Sequence, residues 1–275
     1  MLPSFLTVVW NVIGEAVTAV VGKLLHVVRT LSPRRAARSV FNLNRALDLV
    51  IVYPPRNEEP GSVLPRVAGE DFMAMIHVLE LANAAGFPPA NVRMTPVDNE
   101  ARAIRDDPLA NLVLICCPRS NAMTGIVLSE VQRRLGLDAD FVEERKAEAV
   151  PQGEPKPRQH IHFAGEAKHS ETWDVEATLK GLGVQPWRGS MKDWGLIVKC
   201  RNPFNETAKA FIIAGIRGIG TWGAACHLAH QARSLYNEFK ERDFAAVVEV
   251  DYANFRIIRT RLDRRVALNY SSAAP

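Results

Sequence analysis

The segment Lys209–Ala225, KAFIIAGIRGIGTWGAA, joins an apolar strand pattern to closely spaced glycines and then to a helical pattern. Glycine adopts backbone angles that other residues resist, so several peptide N–H groups can face outward from such a turn. Exposed amides at the start of a helix bind an anion without any charged side chain. An alternative is that the glycines only let the loop turn tightly under the helix. The binding interpretation predicts these ligand contacts: Gly215, Arg217, Gly218, Gly220 and Thr221.

A second strand-to-helix turn follows the apolar run Asn111–Cys116. The run breaks at CPRSN, and either Ser120 or Asn121 is suited to cap the helix that follows. Amides in the first turn of that helix would face outward at the carboxyl end of the strand, with Arg119 beside them. We therefore expect Arg119, Ser120 and Asn121 to contact the same anionic ligand. The alternative is an ordinary capped helix with a solvated arginine.

Residues suited to acid–base chemistry are few. Glu70, Asp71 and His230 are the candidates for a nucleotide or N-glycoside hydrolase that would act at the same site. No nucleophile elbow, P-loop or zinc motif occurs, so no reaction follows from the sequence, and we favour a binding protein over an enzyme.

A metal site is not expected. His160, His162 and His169 include an H-x-H pair that alternating strand positions would place on one face, but the spacing matches no established ligand set. The four cysteines also lack the spacing of a zinc site or a disulfide framework, which favours a reducing cytosol. No cofactor is predicted.

Apolar runs that suit buried strands alternate with helical patterns along most of the chain. The predicted strands are Leu47–Tyr53, Asn91–Val97, Asn111–Cys116, Trp194–Lys199, Lys209–Ala214, Phe244–Val250 and Asn254–Thr260. The predicted helices are Glu70–Ala85, a helix that runs from the CPRSN turn to Leu135, and Thr221–Lys240. This order predicts an α/β fold that is Rossmann-like, with a largely parallel sheet and antiparallel additions at one end.

The chain divides into four predicted regions. Residues 1–30 form a hydrophobic amphipathic helix, residues 31–46 a basic connector, residues 47–262 the ligand-binding domain, and residues 263–275 a flexible tail. A proline-rich insert near residues 143–192 interrupts the domain.

The N-terminal helix leaves three interpretations open. Its polar and small residues form one narrow stripe, while apolar residues cover well over half of the circumference. It could lie on or span a membrane through residues 5–28, with the arginines that follow near anionic headgroups. Glu15 and Lys23 argue against a lone span, because a charge at the bilayer centre is costly. Packing in a soluble homo-oligomer, or on the chain's own sheet, is the third possibility.

Composition limits the partners. The 275 residues include 47% hydrophobic residues, enough for a substantial core, and the net charge of +4 is mild. The arginine-rich ends lack interleaved aromatic residues on which bases would stack, so nucleic acid is not the expected partner. The expected location is the cytoplasm, with membrane association through residues 5–28 as a variant.

The motif Gly218-Ile219-Gly220-Thr221 resembles the G-x-G-T core of the phosphate loop in the Rossmann-like superfamily that includes the LOG nucleotide phosphoribohydrolases and the DprA and SLOG ligand-sensing domains. The resemblance covers about a dozen residues here, together with the strand-turn-helix context of Asn111–Leu135. The hydrolases carry a glutamate where this chain has Ala224, and a doubled glycine where it has Arg217. These differences weigh against hydrolase activity more than against ligand binding.

The leading hypothesis is a sensor. A Rossmann-like domain would bind a nucleotide-type or other anionic signal and would couple it to the N-terminal helix, which associates with a membrane or forms a homo-oligomer. The alternatives are the hydrolase and a structural oligomer without a ligand.

Overall fold

The computed structural model describes residues 34–55, 67–97, 110–143, 159–170, 191–253 and 256–270. The predicted N-terminal helix, most of the proline-rich insert and the last five residues lie outside these ranges. Within them the chain has a mixed α/β architecture, as predicted.

Ten strands and five helices make up the described part of the chain. The strands are β1 (Leu49–Tyr53), β2 (Val92–Pro96), β3 (Asn111–Ile115), β4 (Ala139–Glu143), β5 (Gln159–Phe163), β6 (Glu166–His169), β7 (Met191–Asn202), β8 (Asn205–Gly215), β9 (Asp243–Ala253) and β10 (Arg256–Leu268). The helices are α1 (34–41), α2 (Gly69–Ala85), α3 (Ala122–Leu135), α4 (Gly218–His230) and α5 (Ala232–Phe239).

Seven strands form the main sheet in the order β10-β9-β7-β8-β3-β1-β2. Strands β2, β1, β3 and β8 are parallel, and β7, β9 and β10 continue the sheet by antiparallel pairing. The β7–β8 pair is the predicted hairpin. Every residue of β1 and β3 is buried, as expected for central parallel strands with helices nearby.

Local signals set the ends of α2 and α3. Gly86 and Gly136, both at positive φ, end the two helices in left-handed caps, where a residue without a Cβ is favoured. At the start of α3 the side chain of Asn121 accepts a hydrogen bond from the Met123 amide, so of the two predicted caps, Ser120 and Asn121, the second is the one used.

The predicted connector contributes to the core. Helix α1 buries Ala36, Ala37, Val40 and Phe41, and the Phe41 ring lies 5.0 Å from the ring of Phe211 on β8, centroid to centroid. The folded body therefore includes residues ahead of the predicted domain boundary at 47.

Helices α4 and α5 replace the single helix predicted over Thr221–Lys240. The chain leaves the helical conformation at Gln231, where φ is −104° and ψ is 16°. No glycine or proline lies at this break, so the sequence carries no signal for it. At the far edge, β10 runs to Leu268, through residues of the predicted tail.

Strands β4, β5 and β6 form a separate antiparallel sheet of three strands. This small sheet carries the three histidines and contacts the main sheet where Trp194 Nε1 donates to the His169 carbonyl over 3.0 Å. No helix in the described residues is both long enough and apolar enough to cross a membrane.

Candidate functional site

A cleft of about 880 Å³ opens at the carboxyl ends of β1, β3 and β8. Because these three strands are neighbours and parallel, the turns that follow them meet at one edge of the sheet. The two turns selected from the sequence therefore lie side by side. The cleft is lined by Pro54, Pro55, Ala68, Asp71, Val97, Cys116, Cys117, Arg119, Ser120, Gln159, Gly215, Ile216, Arg217 and Gly218.

The turn between β3 and α3 we call the first corner, residues Cys117–Asn121. Arg119 and Ser120 line the cleft and are exposed. The Arg119 guanidinium lies 3.4 Å from a carboxylate oxygen of Glu143 at the end of β4, and both side chains are more than two-fifths exposed. An ion pair this exposed is weak and leaves Arg119 able to turn toward a ligand.

Asn121 does not line the cleft, because its side chain is buried and bonds to the surrounding backbone. Its side-chain amide is fully buried and donates to the carbonyls of Val52 and Ile115, at 3.2 Å and 2.9 Å. Its carbonyl oxygen accepts from the Met123 amide at 3.1 Å. These bonds tie β1, β3 and α3 together and use both N–H donors of the buried side chain, so the predicted contact at Asn121 has no free donor to offer an anion.

The turn between β8 and α4 we call the second corner, residues Gly215–Thr221. Three of the predicted ligand contacts, Gly215, Arg217 and Gly218, line the cleft, whereas Gly220 and Thr221 are buried. The Thr221 amide and hydroxyl both donate to the Arg217 carbonyl, at 3.1 Å and 3.5 Å. Thr221 therefore serves the first turn of α4.

Close packing explains Gly220 and Gly215. A Cβ at Gly220 would lie 2.3 Å from the Trp194 carbonyl oxygen on β7, and one at Gly215 would lie 2.2 Å from the Thr221 nitrogen. Any side chain at either position would collide with backbone that cannot move away easily. These two glycines let α4 approach the sheet, which is the alternative that the sequence left open.

A protein carboxylate already occupies the inner amide of the second corner. The Gly220 N–H donates to Asp193 Oδ2 over 2.7 Å, and the Trp194 N–H donates to Asp193 Oδ1 over 2.9 Å. Asp193 is fully buried, and burial raises its pKa to about 6 despite these two bonds and the nearby charge of Arg217. The N-terminus of α4 is therefore bound by a buried carboxylate from the same chain, since Asp193 precedes Gly220 by 27 residues.

The start of α4 borders the cleft at Gly218. Gly218 and Ile219 are its first two residues, whose N–H groups have no acceptor within the helix. The capping residue, Arg217, makes no side-chain capping bond to them. Of the second corner, Gly215, Ile216, Arg217 and Gly218 line the cleft, whereas Ile219 is buried.

Two adjacent thiols in the cleft were absent from the predicted site. Cys116 has φ +84°, a left-handed conformation that is uncommon outside glycine, and its neighbour Cys117 lies 3.7 Å from Oε1 of Gln159 on β5, measured from Sγ. A hydrogen bond from Cys116 and the backbone amides of Ser120 and Arg119 lower the pKa of Cys117 below its ordinary value. The hydrogen bond to Cys117 and burial raise the pKa of Cys116. Their position after a buried strand was the signal available in the sequence.

The three acid–base candidates do not form one site. Asp71 lines the cleft from the first turn of α2, and the Glu70 side chain packs against Gly218. His230 lies at the other end of α4, where its ring meets that of His77 at 5.3 Å and its Nδ1 lies 3.3 Å from Cys226 Sγ. A hydrolase that uses all three residues together is therefore not supported.

The histidines of the small sheet make local contacts. The rings of His160 and His169 lie 4.8 Å apart on paired positions of β5 and β6, and His162 Nε2 lies 3.0 Å from Asp138 Oδ1. No group of three or more histidine, cysteine or acidic side chains among the described residues is placed to hold a metal ion.

Comparisons with known proteins neither confirm nor refute the resemblance of Gly218–Thr221 to the LOG, DprA and SLOG phosphate loop. No protein-family model, curated protein or solved structure matches the chain. Ala224, which stands where the LOG hydrolases carry a glutamate, is fully buried, and a Cβ on Gly195 would lie 2.7 Å from its Cβ. A glutamate side chain at this position would be buried against β7.

Proposed function

We propose that the cleft binds a small anionic molecule of the nucleotide type and that the chain acts as a sensor of that molecule. One observation carries the proposal. From β1 the chain runs to β2 on one side and then returns to β3 on the other, so the direction of strand order reverses between β1 and β3. In open α/β sheets, ligands collect outside the carboxyl ends of the strands at such a reversal. The cleft lies there.

The side chains and amides at the rim support an anion. Arg119 comes from the first corner and Arg217 from the second, so two guanidinium groups line one cleft. Gly218, the first residue of α4, also lines the cleft, so the partial positive charge of the α4 start lies at the rim. Asp71 opposes an anion from α2, which favours a ligand whose negative charge lies near the arginines and whose neutral part lies near Asp71.

The same topology supports the finer part of the fold prediction. Parallel strands in the order β2-β1-β3-β8 follow the arrangement of doubly wound nucleotide-binding sheets. We include membership of the Rossmann-like class in the proposal, with the LOG, DprA and SLOG resemblance as its motif-level support.

Isothermal titration calorimetry tests the binding. The probes are inorganic phosphate, AMP, ATP and NAD, with neutral adenosine as the uncharged comparison. We expect at least one phosphate compound to bind and adenosine not to bind. Arg119→Ala and Arg217→Ala should each weaken binding by about 10-fold or more, because a hydrogen bond to a charged group is worth ~1.5–3 kcal/mol.

A matched control is Arg133→Ala in the last turn of α3, where the arginine pairs with Glu130 away from the cleft. Its affinity should equal that of the unmodified protein. Absence of binding by every phosphate compound, or equal affinities in all three arginine variants, would overturn the proposal. Gly220 is unsuitable as a probe of binding, because any side chain there disturbs the packing of α4.

The output of the sensor, in this proposal, is the N-terminal segment. Its support is the amphipathic pattern of residues 5–28, which predicts membrane association or homo-oligomerisation. Ligand binding shifts such an assembly only if the assembled form binds the ligand more tightly. Liposome flotation and solution mass, measured with and without ligand on the full chain and on a chain lacking residues 1–30, test this part. If both chains have the same oligomeric state and neither floats with liposomes, the proposed role of the N-terminal segment is wrong.

A further inference from the structure

We infer that four exposed arginines, on α1 and in the turn after it, form a face that docks on an anionic lipid surface. We call them the basic face: Arg34, Arg35, Arg38 and Arg45. The inference rests on the output part of the proposed function, since it assigns a partner to the N-terminal end of the chain. It chooses a membrane over a homo-oligomer there, and it names the side of the folded body that meets the membrane.

Helix α1 is held to the core by one side and exposes its arginines on the other. Its buried side includes Val40 and Phe41, and the Phe41 ring lies 6.4 Å from the ring of Phe87, centroid to centroid. Helical spacing turns the arginines of α1 to solvent. Because apolar contacts hold the helix, these charges have fixed positions on the folded body.

Two of the arginines converge at the end of α2. Arg38 Nε donates to the Ala85 carbonyl over 3.2 Å. A Cβ at Gly86 would lie 3.2 Å from Arg38 Nη2 and 3.6 Å from Arg45 Nη1, so both guanidinium groups lie within 4 Å of one point. The partial negative charge of a helix end offsets only part of two full positive charges. The phosphate or carboxylate of a lipid headgroup can accept hydrogen bonds from both.

Among the described residues, no carboxylate pairs with the basic face. The nearest acid along the chain, Asp48, pairs with Arg93 at 3.4 Å. The arginine-rich strand β10 differs, since Arg259 and Arg261 pair with carboxylates of β9 at 2.6 Å and 2.5 Å. The charge of β10 is therefore used within the fold, whereas the charge of the basic face is available to a partner.

The sequence around the basic face is equally one-sided in charge. Residues 16–47 contain no acid and six cations, which are Lys23, Arg29 and the basic face. This stretch carries more positive charge than the whole chain, whose net charge is +4. Basic clusters beside an amphipathic helix bind anionic lipids, and each cation adds to the attraction. Two copies of the basic face would repel each other, which weighs against a homo-oligomer through this surface.

The apolar segment ahead of α1 favours lipid among the anionic partners. Residues 29–33 alone separate α1 from the predicted amphipathic helix of residues 5–28. A connection this short spans at most about 20 Å, so the basic face stays near any surface that the amphipathic segment enters. Together the two supply the apolar and the electrostatic parts of membrane binding. Nucleic acid would use the charge but not the apolar residues.

This placement directs the cleft away from the membrane. Asp71 lines the cleft from the first turn of α2, whereas Arg38 and Arg45 meet the other end of that helix. Helix α2 has 17 residues, which corresponds to a length of ~25 Å. A soluble ligand can therefore enter the cleft while the basic face lies on the bilayer.

Vesicle flotation of the full chain, without any nucleotide, tests the inference. The vesicles are pure phosphatidylcholine and phosphatidylcholine with about 30 mol % phosphatidylserine, in about 0.1 M NaCl. We expect the phosphatidylserine vesicles to bind at least ~10-fold more tightly, and NaCl at about 0.5 M to remove most of the difference. Equal binding to both kinds of vesicle, or binding to neither, would overturn the inference.

A double substitution with a matched control assigns the effect to the basic face. Arg34→Gln with Arg35→Gln removes two exposed charges and should weaken binding to the anionic vesicles by about 10-fold or more. Arg133→Gln with Arg134→Gln removes as much charge from α3, at exposed arginines that pair with Glu130, and should weaken it by less than ~2-fold. Equal losses in the two variants would mean that only net charge matters, and the basic face would be wrong.

Charge reversal separates lost binding from lost folding. Arg34→Glu with Arg35→Glu places carboxylates in the first turn of α1, where the helix dipole favours them, so the melting temperature should not fall. Binding to the anionic vesicles should fall further than in the glutamine variant. A folded variant that binds these vesicles as tightly as the unmodified chain would contradict the inference.

The outcomes separate this inference from the proposed function. If the chain floats equally with neutral and anionic vesicles, membrane association of the N-terminal segment stands and the basic face is wrong. If the basic face binds vesicles while calorimetry detects no phosphate compound, the docking surface stands and the sensor proposal fails. Duplex DNA is a further anionic probe, and tighter binding to DNA than to anionic vesicles, at equal salt and equal concentration of negative charge, would overturn the choice of lipid.

Discussion

The first and second corners have the same construction, a buried strand, a short turn and a helix, but they offer different groups to the cleft. The first corner presents Arg119, Ser120 and the Cys117 thiol, all on side chains. The second presents the Arg217 side chain and the backbone of Gly215 and Gly218, whereas Gly220 and Thr221 are buried.

The difference lies in what closes each helix start. At α3 the cap is Asn121, which belongs to the corner itself. At α4 the corresponding partner is Asp193 on β7, a strand that neighbours β8 in the sheet. The amide of a glycine-rich turn can therefore be bound by a carboxylate of the same chain, here Asp193. Glycines in such a turn indicate close packing of the backbone as much as ligand binding.

Replacing Gly220 should have the largest effect on stability. Gly220→Ala places a Cβ 2.3 Å from the Trp194 carbonyl oxygen, so α4 must move off the sheet. We expect a loss of ~3–4 kcal/mol in the free energy of unfolding, measured by urea denaturation. The matched change in the first corner's helix is Gly125→Ala, whose Cβ would meet only Pro118 Cβ at 3.4 Å. That variant should be more stable by ~0.5–1 kcal/mol, and equal effects at both glycines would show that the two helices pack alike.

The buried acid of the second corner predicts a pH dependence of stability. Burial raises the pKa of Asp193 from 3.8 to about 6, so between these values the native state binds more proton than the unfolded state. Stability contributed by this group is therefore present at low pH and is lost as pH rises toward 6. We expect the unmodified protein to lose ~2–3 kcal/mol relative to Asp193→Asn between pH 4 and pH 6.5, measured as the difference in unfolding free energy.

This difference must be taken between variants because another group titrates in the opposite direction. Burial lowers the pKa of His227 to about 4, so its contribution is lost as pH falls below its usual value of 6.5. Both chains carry His227, and its contribution cancels in the comparison. A difference that stays constant with pH would mean that Asp193 does not titrate in this range.

Removing the N-cap of α3 should lower the stability of the fold and leave the affinity for the ligand unchanged. Asn121→Ala leaves the carbonyls of Val52 and Ile115 and the Met123 amide without their partner. A loss of ~2 kcal/mol is expected by thermal or urea unfolding, against less than ~0.5 kcal/mol for its exposed neighbour in Ser120→Ala. The affinity of the folded Asn121→Ala protein for a phosphate compound should be unchanged. If the variant folds but no longer binds the phosphate compound, Asn121 contacts the ligand and the structural role assigned to it is wrong.

The sequence predicts most of the fold because the deciding signals are local. Runs such as Asn111–Ile115 identify buried strands, Gly86 ends α2, and the short turn between β7 and β8 requires a hairpin. The parallel pairing of β1, β3 and β8 then brings both turns to one edge. These inferences need no knowledge of distant side chains.

The interior of the site depends on contacts between distant parts of the chain. Asp193 meets Gly220 only because β7 pairs with β8 in one particular register, and Gln159 reaches Cys117 through a separate sheet. A left-handed Cys116 is fixed by β8 and α3 and has no signature in its own sequence. The predicted contacts at Gly220, Thr221 and Asn121 rested on residue type, whereas tertiary packing decides which way each group faces.

The smallest predicted effect concerns the ion pair at the first corner. Glu143 lies 3.4 Å from Arg119 and competes with an anionic ligand for the same guanidinium. Glu143→Gln keeps the shape of the side chain and removes its charge. Because exposed pairs are worth ~0.2–1 kcal/mol, binding of the phosphate compound should tighten by roughly 1.5- to 5-fold in calorimetry. The second corner offers the comparison, since Arg217 has the buried Asp193 nearby. If Glu143→Gln weakens binding instead, Arg119 needs Glu143 to hold it in place. The first corner would then depend on a carboxylate of the same chain, as the second corner does on Asp193.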